Sequence, residues 1–343
     1  MKRLILSGIT LFAYSTVIAQ NQATLSQSET GNYGSILQQG AGNHSSINQN
    51  LNSLCNRAVT TQFGTGNTQA SISQRSNAVG NLAQIRQGAA SSPASGNEAI
   101  ITQQNTSSAN EAQITQVGNN NKASVWQIDQ SKSNKAAINQ LGSASTTTIE
   151  QKLTSNDNLA QITQSGVNNH STIKQNNLSQ SNMAFINQSG SGLNGRITQN
   201  NTVSNSYAYI EQHASNNNAL IQQTNQSSGI VQIIQNVQTS FGSGNMATVY
   251  QGRDSDGLSS GNFTLVTQEN SNNISQNEQL GMNNVAVINQ SGNGNVLAGM
   301  GSDSIARQLG SNNQLYVTQI GGNMAHVSQS GTGNMAVINQ VHN

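Results

Sequence analysis

Side chains able to do acid–base or metal chemistry are few in this 343-residue chain, and they are scattered. His44, His170, His213, His326 and His342 stand singly, without i, i+4 pairing and without a cysteine partner. Transition-metal sites need convergent ligands, so none is expected from them. Asp254-Ser255-Asp256-Gly257 opens like a calcium loop but is not followed by the bidentate Glu such a loop requires, and reads as a solvated loop. Carbohydrate-cleaving β-helices bring acids and bases together in a cleft; here Arg86, Glu150, Lys174 and Glu211 fall singly at variable positions. Their simpler role is to interrupt uncharged β-prone sequence. No catalytic residue, cofactor or metal is expected. The residues that do recur at fixed spacing are amides.

Aligning the segments that end in Gln exposes the unit Asn-x-Ala-x-Ile-x-Gln. Clear copies are Asn81-Leu82-Ala83-Gln84-Ile85-Arg86-Gln87, Asn158-Leu159-Ala160-Gln161-Ile162-Thr163-Gln164, Asn284-Val285-Ala286-Val287-Ile288-Asn289-Gln290 and Asn334-Met335-Ala336-Val337-Ile338-Asn339-Gln340. Roughly 26 such segments can be placed, a density that dictates a repeat architecture. Kept residues alternate with free ones, and a period of two means a strand with one specified face. Asn, Ala, Ile and Gln therefore point inward, where the amides form ladders beside an aliphatic rib, while Leu82, Gln84 and Arg86 point out. Each buried amide must be bonded to its equivalent one repeat away, since an unpaired one costs about 1–3 kcal/mol.

From Gln116 through Gln127, Gln140, Gln151, Gln164 and Gln175 the spacing alternates between 11 and 13 residues. Two turn lengths imply two strands per rung. The expected fold is all-β, a β-solenoid of stacked strand-turn-strand rungs; about 13 rungs at the usual strand spacing make a rod on the order of 60 Å long. Gly and Asn, as in Gly40-Ala41-Gly42-Asn43 and Gly331-Thr332-Gly333-Asn334, mark the tight turns. The single proline, Pro93, falls where the Gln spacing stretches, so a loop leaves the stack near residues 89–96. Further loops are expected near residues 252–260 and 295–304.

Composition agrees with a narrow amide core rather than an oily one. Hydrophobic types make up 33% of the chain and charged types 7%, against roughly 45–50% and 25% in ordinary globular domains. Lys2 and Arg3, an apolar run over residues 4–18 and Val17-Ile18-Ala19 read as a secretory signal occupying residues 1–19, too short to span a bilayer. Residues 20–343 then form one exported repeat domain, with no membrane insertion. Lys+Arg number 13 and Asp+Glu 12, so the basic footprint that nucleic-acid binding needs is missing. Cys55 is the only cysteine and has no partner within the chain. The position before each Gln holds Ser26, Leu37, Asn48, Thr61, Arg86, Trp126, Glu150 or Tyr250, not the uniform row of an ice-binding face.

Gln329-x-Gly331-x-Gly333-Asn334-x-Ala336-x3-Gln340 resembles the curlin repeat of bacterial curli subunits, and Gln38-x-Gly40-x-Gly42-Asn43-x-Ser45-x3-Gln49 repeats it with Ser for Ala. The family's leading Ser is usually Asn here, as at Asn323, and is kept at Ser145 and Ser206. The resemblance implies a secreted subunit of cell-surface, cross-β amyloid fibres serving biofilm matrix and adhesion. It implies self-association, with other curli-type subunits and an outer-membrane secretion apparatus as further partners. The inward ladder residues it assigns are Gln329, Asn334, Ala336 and Gln340, with Gln38, Asn43 and Gln49. Familiar curlins carry about five repeats, and this chain carries more than twice that. The alternative expectation is a soluble, capped, monomeric adhesin rod. Because the unit at residues 334–340 is followed by only three residues, an uncapped growing face is expected there instead.

Overall fold

The fold is known from a computed structural model, which describes residues 20–65, 69–236, 242–252, 259–299 and 304–342. Every regular element among them is a strand. Each rung crosses between two parallel sheets, so that successive copies of one strand lie directly over one another. One sheet is a continuous stack of 13 strands, running from Tyr33–Ala41 to Met335–Val341. The other begins at Gln22–Gln27 and in its later rungs breaks into short pieces, such as Val296–Ala298 with Ala306–Ser311. The chain is a β-solenoid of about 13 turns, as the spacing of its glutamines implied.

Register follows the repeat unit. Ala136 lies against Ala160, Ile138 against Ile162 and Gln140 against Gln164, and the next strand continues with Ala184, Ile186 and Gln188. In Leu82–Gln87, Ala83, Ile85 and Gln87 are buried, Gln84 and Arg86 are exposed and Leu82 is half-exposed. A one-residue slip would turn all of these over, which is why an alternating strand specifies its own register. Ile and Ala from the two sheets meet in one continuous core, from Ile47 to Val327.

Two arcs of different construction join the strands. The shorter one passes through Gly118, Gly142 and Gly166, which stack so closely that a Cβ on Gly166 would lie 1.9 Å from the Gly190 carbonyl oxygen. The longer one holds two consecutive left-handed residues followed by a third: Leu153 (φ 57°), Thr154 (φ 62°) and Asp157 (φ 52°). The same triple recurs one rung away as Asn177, Leu178 and Ser181, and again as Asn201, Thr202 and Asn205. Stacking offsets the strain. Thr154 N–H donates to Asp129 O at 3.0 Å, Leu178 N–H to Leu153 O at 3.1 Å and Thr202 N–H to Asn177 O at 3.1 Å.

In the first of the segments expected to leave the stack, Ala89 and Ser92 exchange backbone hydrogen bonds of 3.0 Å just before Pro93, while Ala94 and Ser95 bridge to Gly64 and Asn119 of neighbouring rungs. In the other two, residues 253–258 and 300–303 lie outside the described residues. Ser259–Ser260 and Val296–Ala298 pair as strands within the stack. The proposed leader, residues 1–19, and the whole of Asp254-Ser255-Asp256-Gly257 also lie outside them.

Candidate functional site

The recurring amides occupy the interior as two uninterrupted columns. In the broken sheet the column runs Gln27, Gln49, Gln74, Gln103, Gln127 and onward to Gln329; in the continuous sheet it runs Gln38, Gln62, Gln87, Gln116 and onward to Gln340. Each glutamine donates from Nε2 to Oε1 of the next. Gln127 bonds Gln151 at 2.9 Å, Gln164 bonds Gln188 at 2.7 Å and Gln290 bonds Gln319 at 2.9 Å. The orientation of each amide is fixed by the backbone opposite: Gln127 Nε2 also meets the carbonyl oxygens of Glu111 and Asn134, both at 3.0 Å. Carbonyls only accept, so the NH2 end must face them. All described links therefore point the same way, from the first rung toward the last.

Asn334 and Asn295 make the expected amide-to-amide bond, to Asn313 and Asn273 at 2.9 Å, but most of the inward asparagines bond backbone instead. Asn158 accepts the backbone N–H of Asn182 on Oδ1 at 2.9 Å and donates from Nδ2 to Ser179 O at 3.0 Å. Asn81 and Asn284 act likewise, accepting from Asn110 N and Asn313 N at 2.9 and 3.0 Å. One methylene shorter than Gln and placed where strand becomes arc, Asn reaches backbone groups that the arc leaves unpaired. Ser145 and Ser206 replace it and bond the N–H of Asn169 and Gly229 through Oγ at 3.2 and 3.1 Å.

Most named ladder residues lie fully inside the stack: Asn43, Gln49, Asn81, Ala83, Ile85, Gln87, Asn158, Ile162, Gln164, Asn284, Ile288 and Gln290, with Gln329 also buried. The exceptions sit on the two end rungs. Gln38, Ala336, Ile338 and Gln340 are half-buried and Asn334 is exposed, because among the described residues no rung covers them. At the opposite end all six residues of Gln22–Gln27 are exposed. Degenerate units place polar groups at the inward Ala and Ile positions: Ser45, already legible as Ser for Ala, and Thr60 and Thr264, which the repeat pattern did not single out. Ser45 and Thr60 meet across the core at 2.6 Å, and Thr264 donates to Gln279 Oε1 at 2.7 Å.

Several outward charges do not stand singly as the sequence suggested, because in-register stacking sets like positions over each other. Glu150 pairs with Lys174 at 3.3 Å and with Lys152 at 3.4 Å, and Glu111 with Lys135 at 3.8 Å. The exposed Glu111–Lys135 pair contributes about 0–1 kcal/mol. Glu211 and His213 also lie together, 3.2 Å apart. Among the described residues no three His, Cys, Asp or Glu side chains gather as a metal ion would need. Cys55 is free and exposed.

A family model described as the curlin associated repeat matches residues 108–142 and 156–190. No curated protein matches the chain. The matched segments are central rungs in which strands, arcs and glutamine columns are all in register with their neighbours. The chain thus carries two matched curlin associated repeats within a β-solenoid whose same alternation continues through the described stack.

Proposed function

We propose that this protein is a structural subunit that polymerises head to tail, one solenoid continuing the next, into extracellular curli-type amyloid fibres of a biofilm matrix. The observation that carries the reading is the complementarity of the two end rungs. At the first, Oε1 of Gln27 and of Gln38 receives no glutamine from below among the described residues. At the last, Gln329 and Gln340 donate from Nε2 only to Gln314 O and Met324 O, at 2.9 and 3.0 Å, which leaves each with a proton to give. One end offers acceptors and the other donors.

Each end also presents a row of unpaired backbone N–H and C=O groups, a template for a further strand. Ile338 lies half-bare at the last rung, while Val317, one rung in, is buried. Covering an isoleucine fully is worth about 1.5–3 kcal/mol. A heterologous contact of this kind does not close on itself and so generates filaments. The curlin associated repeats favour the same reading, and the leader-like residues 1–19 favour export. A role in adhesion, other curli-type subunits and an outer-membrane secretion apparatus belong to the same proposal.

Seeded growth of the chain lacking residues 1–19, followed by thioflavin fluorescence, tests it. Ile338→Lys sets a charge into the bare rib and is expected to slow elongation at least tenfold, because a buried unpaired charge is costly. Elongation at the wild-type rate, or a wild-type chain that stays monomeric at high concentration, would favour a capped adhesin rod.

A further inference from the structure

Aromatic residues make up only 3% of the chain, yet three meet on the outer face of the continuous sheet. There the strands Leu159–Val167, Met183–Ser191 and Tyr207–Ser215 shape an open cleft of about 360 Å3, lined by Gln161, Thr163, Phe185, Asn187, Tyr207 and Tyr209. Strand pairing sets Gln161, Phe185 and Tyr209 in one row across the rungs, with Thr163, Asn187 and Glu211 in the next. One flank is therefore polar and the other aromatic. The Phe185 and Tyr207 rings are 5.8 Å apart and inclined at 43°, and Tyr207 and Tyr209 are 6.5 Å apart and within 22° of parallel.

The aromatic flank is held in place from behind. Tyr209 Oη donates to Glu211 Oε2 at 2.9 Å, His213 Nε2 lies 3.2 Å from Glu211 Oε1, and Ser189 Oγ lies 3.1 Å from His213 Nδ1. The Glu211 carboxylate is thus engaged by two neighbours of its own chain, and the lining itself carries no charge. Such a cleft suits a neutral ligand with one face of C–H groups to lie on the rings and hydroxyls at its edge for Gln161, Thr163 and Asn187. We infer that this cleft binds a hexopyranose unit of a neutral, flat β-linked polysaccharide. A flat chain matches an open cleft on the outer face of a sheet. The site lies on the side of the stack, away from both end rungs, so a single chain and a fibre hold it alike.

Titration calorimetry of freshly prepared monomer, and of fibres, with cellohexaose tests this without depending on polymerisation. The wild-type chain is expected to show saturable binding. Tyr209→Ala and Phe185→Ala each weaken it at least tenfold, and Tyr316→Ala, on the same sheet outside the cleft, leaves it unchanged. Tyr209→Phe, which keeps the ring and loses the hydroxyl, stays within about threefold of wild type, as ring stacking requires. Asn187→Ala, which keeps all three rings, weakens binding severalfold and serves if an aromatic variant loses its strand signal in circular dichroism. No saturable binding by the wild-type monomer would overturn the assignment. So would equal losses at Tyr316 and Tyr209, or a loss for Tyr209→Phe as large as for Tyr209→Ala.

Discussion

A buried amide is worth most where both of its ends are used, and the glutamine columns are arranged in that way. Gln164→Ala removes an acceptor from Gln140 and a donor from Gln188, 3.1 and 2.7 Å away. It should cost about 1–3 kcal/mol, whereas Thr163→Ala, one residue away on the outer face, should fall within about 0.5 kcal/mol of wild type. Guanidinium unfolding of the monomer would measure both, and equal losses would contradict the column. Asn277 makes the opposite case. It replaces the rib's aliphatic residue beside Val249, and its Oδ1 is buried without a partner. Asn277→Val should therefore raise stability by about 1 kcal/mol in the same assay. A third expectation concerns Tyr209, whose hydroxyl is pushed above the ordinary value of 10.0 by burial and then by its bond to Glu211. Its neutral form is the one the fold favours, so its contribution is complete below about pH 10 and is lost as pH rises through the folded value. Ultraviolet difference titration should show a late-ionising tyrosine that disappears in Tyr209→Phe; an unchanged titration would place Tyr209 in an ordinary environment. The inward glutamines were legible because a primary amide carries both a donor and an acceptor, and so can bond both neighbours in a stack. The bonding of Asn158 was not, because a period of two marks a residue as inward without saying whether backbone or side chain lies within its reach.

For the strands, alternation alone set face and register, and Ala160, Ile162 and Gln164 stand where their spacing put them. The arcs were only half legible. Glycine at Gly166 signals a tight turn because only a residue without Cβ fits under the Gly190 carbonyl. Leu153, Thr154, Leu178 and Thr202 carry no such signal, yet all adopt left-handed φ. Single-sequence turn chemistry looks for Gly, Asn or Asp there; stacking overrides it by giving arc N–H groups such as those of Thr154, Leu178 and Thr202 a carbonyl one rung below. A left-handed β-branched residue still retains a local penalty of about 1–2 kcal/mol. Thr154→Gly should therefore be neutral or stabilising by up to ~1 kcal/mol, while Thr163→Gly, in an extended strand, should cost about 0.5–1 kcal/mol. Denaturation midpoints compare the two, and a loss for Thr154→Gly matching that for Thr163→Gly would mean the arcs are unstrained.

At the scale of the whole molecule, every rung supplies what the next one needs, which makes the first and last rungs the places where, among the described residues, the pattern is incomplete. Head-to-tail stacking would set Met335–Val341 of one molecule on Tyr33–Ala41 of the next, with Gln340 Nε2 meeting Gln38 Oε1. In that register the exposed residues that precede those glutamines, Asn339 and Leu37, lie side by side. Adjacent parallel strands bring their Cα atoms to about 4.8 Å, within the roughly 4.4–6.8 Å a disulfide spans. The decisive measurement is therefore intermolecular crosslinking in fibres grown from a mixture of two single variants, Leu37→Cys and Asn339→Cys, each in a Cys55→Ser background. The account predicts oxidised dimers from the mixture, none from either variant alone, and none when Val337→Cys replaces Asn339→Cys, since two residues of offset exceed disulfide reach. Crosslinks within one variant alone, or equal yields from the offset pair, would contradict end-to-end continuation of the stack.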